Sequence, residues 1–427
     1  MIGATLVALF LLCLVAGMPL AVGLGVASIA VLAMAGFDQL AVPTNIYAGI
    51  AKYPLLAIPM FILAGMIFER SGVAQRLVRF VTAIVGEWTG SLAVVAVLVS
   101  MLLGGISGSG PADAAAVAAV MLPSMIARGY PKGFSAGLIA AAGSTAIVIP
   151  PSVAFIVYSV MVPAATVPAL FAAGLFPGMV AALCLLVPAI IISRRHGFGK
   201  GYKAERPPLG KSFVDAIWGL LAPVIILGGL RTGLFTPTEA AVVAVAYGVF
   251  VGMVIYRSIR FRDLFRLLVE AGELSAVVLM IIGIASVFAW AGNTLGIFDV
   301  AAKALVGMHS SEWLMLLSIN LLLLVAGMFL DAVSIFLILL PLLVPIALAM
   351  GWDLVWFGVM MTINLAIGQF TPPMAISLMI TSRIAGIGME ETFRWVIWLV
   401  LAMAGGLTAM IIFPQLALWL PGRLGYL

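Results

Sequence analysis

The sequence predicts an all-α protein that crosses a membrane many times and consists of two inverted repeats, each with about five spans and one re-entrant hairpin. Its composition, an internal repeat and the placement of positive charge support this prediction. Of the 427 residues, 64% are hydrophobic and 9% are charged, whereas a soluble domain has about 25% charged residues. At about 20 residues per crossing, the chain has room for roughly ten to twelve spans and no separate soluble domain.

Other features of the composition exclude several classes of protein. Cys13 and Cys184 lie in apolar runs and define neither a disulfide framework nor a metal site. The net charge of +5 is concentrated in short loops and indicates no nucleic-acid partner. The glycine run at 104–110 lacks the lysine of a Walker A motif, and no cluster of histidines, cysteines and acids indicates an enzyme. The N-terminus lacks the basic segment of a cleaved signal peptide, so we expect residues 3–16 to belong to the first mature span.

A basic connector divides the chain almost equally. Residues 194–211 contain Arg194, Arg195, Lys200, Lys203, Arg206 and Lys211 against a single acid, Glu205. Short loops rich in lysine and arginine remain in the cytoplasm. We therefore expect a cytoplasmic linker at 194–212 between a first repeat, 1–193, and a second repeat, 213–427.

Features of the first half recur in the second half in the same order, at an offset of 222 to 225 residues. The pairs are Phe37-Asp38-Gln39-Leu40 with Phe261-Arg262-Asp263-Leu264, the stretch from Gly72 to Trp88 with that from Gly296 to Trp313, the turn at 104–110 with that at 326–331, and Ile149-Pro150-Pro151-Ser152 with Phe370-Thr371-Pro372-Pro373. Each match is weak alone, but four matches in the same order at a nearly constant offset indicate a duplication.

The positive charges then predict how the halves are oriented. With the linker in the cytoplasm, nearly every basic cluster falls on that side only if each half crosses the membrane an odd number of times. This requires segments 90–128 and 313–350 to enter and leave on the same side, as re-entrant hairpins. The Pro-Pro motifs fall within two further spans, at 134–162 and 354–382, which we expect to be broken helices. Inverted repeats with broken helices are typical of secondary transporters.

The first hairpin and the first break predict a cation site. Ser107, Ser109 and the carbonyls freed at the hairpin turn supply oxygen atoms, and Pro150-Pro151 breaks the facing helix at 143–152. Non-helical backbone at membrane depth persists only where it is buried or lines a cavity. These oxygens favour a hard, weakly charged cation such as Na⁺. The alternative is a simple kink, with the serines bonded back to helix carbonyls.

By the same reasoning, the second hairpin and break predict a second cation site. Oxygen atoms at Gly327, Gly368, Thr371 and Met374 are the candidates. Asp331 is an acid within a long apolar run, which makes it a functional candidate. It is equally suited to cap the helix predicted over 332–346, and one residue can serve both roles. The remaining candidates for contact with a transported substrate are Ser144, Thr145 and Ser152.

The run from Gly104 to Asp113 and both Pro-Pro breaks resemble the large membrane subunit of tripartite ATP-independent periplasmic (TRAP) transporters, in the ion transporter superfamily. The resemblance covers essentially the whole chain. It implies an elevator-type Na⁺ symporter in a bacterial inner membrane, in which a transport domain with both hairpins and both broken helices slides against a scaffold. It also implies organic acid substrates, such as C4-dicarboxylates or sialic acids, and two partners. These are a small four-helix membrane subunit, expected as a separate chain, and a periplasmic substrate-binding protein.

The resemblance also implies the ion ligands. The family's first sodium site corresponds to Ser107, Ser109, Gly143 and the carbonyls near Val148 and Pro150, and its second site to Gly327, Gly368, Thr371 and Met374. Three alternatives are a stand-alone symporter for organic anions, an enzyme acting on lipid-linked substrates and a channel or structural subunit. The absence of a cluster of acids, histidines or metal ligands in the sequence argues against an enzyme, and the paired re-entrant breaks argue against a channel.

Overall fold

The computed structural model describes residues 2–200, 207–308 and 311–427, and every regular element in these ranges is a helix. The all-α prediction is confirmed. Lys203, Glu205 and Arg206 of the predicted linker lie outside the described residues.

Ten α-helices precede the linker. They are α1 (Ile2–Val15), α2 (Leu20–Met34), α3 (Ala41–Ile50), α4 (Ala57–Arg70), α5 (Val73–Val85), α6 (Ser91–Ser107), α7 (Gly110–Ala127), α8 (Lys132–Ser144), α9 (Val153–Met161) and α10 (Val167–His196). Short 3₁₀ turns at Tyr53–Leu56 and Thr145–Ile147 precede α4 and follow α8.

Ten more α-helices follow the linker. They are α11 (Leu209–Arg231), α12 (Pro237–Phe250), α13 (Phe261–Thr294), α14 (Ile297–Met308), α15 (Glu312–Gly327), α16 (Ala332–Ala349), α17 (Leu354–Gly368), α18 (Ile376–Ala385), α19 (Phe393–Ile412) and α20 (Gln415–Leu424). A π-helical turn, Val251–Ile255, extends α12, and a 3₁₀ turn, Met389–Thr392, precedes α19.

Among the described residues, eight helical segments are long and apolar enough to cross a membrane, and six shorter apolar helices accompany them. The shorter set includes α6, α15, α17 and α18, which belong to the predicted hairpins and broken helices. The chain is therefore a multi-pass membrane protein.

The hairpin and the break of each half occur in the same order. In the first half, α6 and α7 form a helical pair that is followed by α8 and α9, with the Pro-Pro pair between them. In the second half, α15 and α16 are followed in the same way by α17 and α18. The Pro150–Pro151 and Pro372–Pro373 peptide bonds are both cis. The division of the chain into repeats at the linker stays a prediction, as does the inverted orientation of the repeats.

The linker differs from its predicted bounds. The helix α10 continues through Arg194 and Arg195 to His196, and it ends where Gly197 adopts a left-handed conformation with φ of 68°. Basic side chains in the last turn interact favourably with the negative end of the helix dipole, so the charges do not terminate the helix. Glycine does so because it adopts positive φ without steric cost.

The helices pack in two groups. In one group, α7, α8 and α18 pack on one another, α15 packs on α17, and α10 packs on α6, α17 and α19. In the other, α4 packs on α12 and α13, while α2 and α3 pack on α13. The groups meet where α4 and α5 contact α6, and where α13 and α14 contact α16. Both hairpins and both broken helices thus belong to the same group.

Candidate ion and substrate site

The two hairpin turns and the two helix breaks meet around one cavity of about 310 Å³. Each contributes to its wall, and the opposite wall comes from α4 and α13. The lining residues are Ile62, Gly65, Met66, Glu69, residues 107–112, Ile147, Val153, Ala154, Leu274, Val277, Val278, residues 331–333 and Gln369. The cavity therefore lies at the boundary between the two helix groups and contains residues from both halves of the chain.

Glycines bring the first hairpin against the first broken helix. A Cβ atom at Gly104 would lie 2.9 Å from the Cα of Ala146, and one at Gly143 would lie 2.7 Å from the Cα of Ala114. Because a side chain at either position would collide with backbone, glycine is required for this approach. The non-helical backbone of the break is thereby held next to the hairpin turn.

A buried acid organises the hairpin turn. Ser107 Oγ donates a hydrogen bond of 2.5 Å to Asp113 Oδ1 and accepts one of 3.2 Å from the amide of Ser109. Asp113 is buried, and its Oδ2 has no hydrogen-bond partner among the described residues. In the sequence, Asp113 is recognisable only as an acid in the first turn of a helix. The structure places its carboxyl group directly behind the hairpin turn, in contact with Ser107.

The first predicted ligand set is only partly brought together. Ser107 and Ser109 line the cavity, and the carbonyl oxygen of Pro150 lies beside Gly105 of the hairpin. The carbonyl oxygen of Val148 instead lies against Gly174 of α10.

The second ligand set is arranged around a contact between two glycines. A Cβ atom at Gly368 would lie 2.6 Å from both the Cα and the carbonyl carbon of Gly327. Thr371 donates from its amide to the carbonyl of Gly368, at 3.1 Å, and from its hydroxyl to Ile367, at 2.6 Å. The side chain of Met374, in contrast, is exposed. The end of α15 and the end of α17 thus approach at backbone distance.

Asp331 both caps a helix and lines the cavity. Its Oδ2 accepts hydrogen bonds from the amides of Val333, at 3.0 Å, and Ser334, at 3.3 Å, and its Oδ1 accepts one from the Ser334 hydroxyl. It therefore caps α16. The same residue lines the cavity, so a carboxylate lies where a hairpin turn meets this space.

The three other substrate candidates do not line the cavity. Ser144 donates to the Ala140 carbonyl at 2.7 Å and Thr145 to the Ala142 carbonyl, also at 2.7 Å. Ser152 caps α9 and donates to the carbonyl of Ile147 at 2.5 Å. All three are buried. Their hydroxyl groups donate hydrogen bonds to nearby backbone carbonyls, as expected if the break is a simple kink.

A protein-family model, described as "Tripartite ATP-independent periplasmic transporter, DctM component", matches residues 7–416 of the chain. The chain belongs to this TRAP transporter family. It is 35% identical to the C4-dicarboxylate TRAP transporter large permease protein DctM of Rhodobacter capsulatus, over 96% of each chain. It is 38% identical to the sialic acid TRAP transporter large permease protein SiaM of Vibrio cholerae, over 88% of each chain.

The fold of this TRAP large subunit is also similar to a solved structure. The crystal structure of the Alcanivorax borkumensis YdaH transporter matches with a TM-score of 0.62 over 88% of each chain, at 15% sequence identity. At that identity the likeness concerns the fold alone.

Two polar residues that line the cavity of this TRAP subunit, Gln369 and Glu69, were not among the candidates from the sequence. Gln369 is buried at the second break, accepts a backbone hydrogen bond of 3.0 Å from Ser377 and has its side-chain oxygen against Gly110 of the first hairpin. It therefore links the second half to the first. An amide within an apolar run was the available signal, because polar groups at membrane depth are costly.

We expect Ser107→Ala to destabilise this TRAP subunit by about 1–3 kcal/mol, because the Asp113 carboxyl loses its hydrogen bond while it stays buried. The thermal unfolding midpoint of the purified protein in detergent measures this. Thr408→Ala is the matched control, since the Thr408 hydroxyl makes an exposed bond of 2.8 Å to the Ala404 carbonyl. Equal midpoints for the two variants would contradict the role given to the Ser107–Asp113 bond.

Proposed function

We propose that this chain is the large permease subunit of a Na⁺-coupled transporter that imports an organic acid by an elevator mechanism. The observation that carries the proposal is the convergence of both hairpin turns and both breaks on one cavity. The names of the relatives, which include a C4-dicarboxylate and a sialic acid permease, support the substrate class.

The charges around the cavity favour coupling to a cation. Glu69 and Asp331 line it, while no lysine or arginine is among the lining residues. An organic anion would be repelled by these acids unless cations entered with it. Oxygen atoms at Ser107, Ser109, Gly327, Gly368 and Thr371 are suited to hold Na⁺, which prefers hard ligands.

Helix ends supply the remaining positive potential. The first turns of α7, α9 and α16 all line the cavity, through residues 110–112, Val153 and Ala154, and Ala332 and Val333. The N-terminus of a helix carries a partial positive charge of about one half, and broken transporter helices direct such ends at anionic substrate groups. A substrate carboxylate can thus be bound without an arginine.

The packing supports an elevator. Both hairpins and both broken helices form one packed group, and the cavity lies between this group and the wall made by α4 and α13. Sliding of the first group along that wall would expose the cavity on alternate sides. We propose that α1–α4 and α11–α13 form the scaffold.

The two partners and the location complete the proposal. The transporter would operate in a bacterial inner membrane with the 194–212 linker in the cytoplasm. A separate four-helix membrane subunit would stabilise the scaffold, and a periplasmic binding protein would deliver the acid. The word "tripartite" in the family description supports this three-part assembly.

The test uses proteoliposomes that contain this chain and its small subunit, with an inward Na⁺ gradient. A panel of binding proteins, each loaded with a labelled acid, is added outside. We expect uptake only with Na⁺ and one binding protein, and a loss of at least about tenfold in Ser109→Ala and in Thr371→Ala, since each removes an oxygen ligand. Thr408→Ala is expected to transport normally.

Two other outcomes would each contradict one part of the proposal. Uptake of free acid without any binding protein would overturn the tripartite proposal in favour of a stand-alone Na⁺ symporter. Uptake that is indifferent to Na⁺ would overturn the coupling.

A further inference from the structure

A second groove, which shares no lining residue with the transport site, lies where the end of α10 packs against the start of α19. It has a volume of about 590 Å³. One stripe of α10 lines it from Val187 to His196, and one stripe of α19 lines it from Arg394 to Ala402. The two helices run antiparallel here, so the last turn of one and the first turn of the other share one end of the groove.

That end is cationic. Arg195 and Arg394 both line it and both are exposed. Among the described residues, neither guanidinium has a carboxylate within 4.0 Å. Glu390 and Glu391 precede α19 but do not line the groove. The guanidinium of Arg394 lies 4.6 Å from the ring centroid of Trp395, which holds it at the mouth.

The rest of the groove is apolar. Val187 and Ile191 line one side, and Trp398 and Ala402 line the other. From Arg195 to Val187 the helix rises about 12 Å, since each residue contributes about 1.5 Å. The groove thus has a charged mouth and an apolar body of about 12 Å, most of the depth of about 15 Å that one leaflet's acyl chains span.

We propose that this groove binds an anionic phospholipid, with the headgroup phosphate between Arg195 and Arg394 and one acyl chain along the apolar body. Charge and shape complementarity together favour this occupant. Paired guanidinium groups match a phosphate in charge and geometry, and basic pockets between membrane helices on the cytoplasmic side bind anionic headgroups. A free phosphate would use only the mouth, and an apolar protein segment would use only the body.

Native mass spectrometry of the purified membrane complex tests the proposal. The probe is an equimolar mixture of phosphatidylglycerol and phosphatidylcholine with identical chains. We expect the wild type to retain phosphatidylglycerol in preference, and Arg195→Gln/Arg394→Gln to lose that preference by about tenfold or more, because two charge-assisted contacts disappear. The matched control is Arg262→Gln/Arg266→Gln, which removes two exposed arginines of α13 that do not line the groove.

Two further measurements distinguish a bound phospholipid from a bound phosphate ion. Ala402→Phe fills the apolar body, and we expect it to reduce phosphatidylglycerol retention while both arginines remain. Inorganic phosphate at millimolar concentration is expected not to displace the lipid, because it makes no contact with the apolar body. Displacement by phosphate, or retention unchanged by Ala402→Phe, would show an anion site rather than a lipid site.

The proposal is overturned if the groove variant and the control variant retain phosphatidylglycerol equally. All variants should first elute as the wild-type complex does in size-exclusion chromatography. Because the measurement uses lipid alone, its result is independent of Na⁺ coupling and of the transported acid.

Discussion

Gly368→Ala is expected to reduce Na⁺-driven uptake at least about tenfold and to raise the Na⁺ concentration that gives half-maximal uptake. The added methyl group would lie 2.6 Å from the Cα and carbonyl carbon of Gly327, which is backbone and cannot rotate away. The ends of α15 and α17 must then separate, and forced separations of this kind cost about 1–3 kcal/mol. The oxygen ligands proposed on the two segments would move apart with them.

Gly405→Ala is the matched control for this substitution. Gly405 also lies within a helix, α19, and a Cβ atom there would meet nothing within 4 Å. Since alanine favours helix more than glycine does, this variant should be as stable as the wild type or slightly more stable. Wild-type Na⁺ dependence in Gly368→Ala, measured by uptake and by the Na⁺-induced shift of the unfolding midpoint, would contradict the second cation site.

The hairpins and breaks could be predicted because proline and glycine act locally. Pro150-Pro151 and Pro372-Pro373 remove amide donors wherever they occur, so a helix must be interrupted there. The breaks indeed separate α8 from α9 and α17 from α18. A nearly constant offset between such residues then identifies the repeated unit without any knowledge of packing.

The two halves nevertheless differ where the repeat predicts similarity. The segment after Asp38 forms α3, a 3₁₀ turn and α4, whereas the equivalent segment after Asp263 continues as the single helix α13, of 34 residues. Pro54 lies in the 3₁₀ turn, while α13 contains no proline. The segment of the first half thus bends at a proline that its equivalent in the second half lacks.

Which oxygen atoms face the cavity could not be predicted, because that depends on side-chain choice and on contacts between the halves. Ser144 and Thr145 are as polar in sequence as Ser107 and Ser109, yet each bonds to a carbonyl three or four residues earlier in its own helix. A hydroxyl inside a continuous helix has such a carbonyl within reach, whereas Ser107, at the end of α6, bonds to the carboxyl group of Asp113 instead. Gln369 faces the first hairpin only because the two halves fold against each other.

Asp331→Asn and Asp331→Ala are expected to separate the two roles of this residue. Asparagine retains an oxygen that can accept from the amides of Val333 and Ser334, so the cap on α16 survives, but the charge at the cavity is lost. We expect Asp331→Asn to keep a wild-type unfolding midpoint and to lose uptake by about tenfold or more, because a carboxylate interacts with a cation far more strongly than an amide does. Asp331→Ala should lose uptake and also about 1 kcal/mol of stability.

Asp353 provides the control, because it caps α17 in the same way without lining the cavity. Its Oδ1 accepts from the amides of Val355, at 2.8 Å, and Trp356, at 2.9 Å. Asp353→Ala should therefore destabilise the protein as Asp331→Ala does, whereas Asp353→Asn should leave both stability and uptake unchanged. If Asp331→Asn transports as well as Asp353→Asn, Asp331 is a helix cap alone, and the acid that attracts the coupling ion must be sought at Glu69 or Asp113.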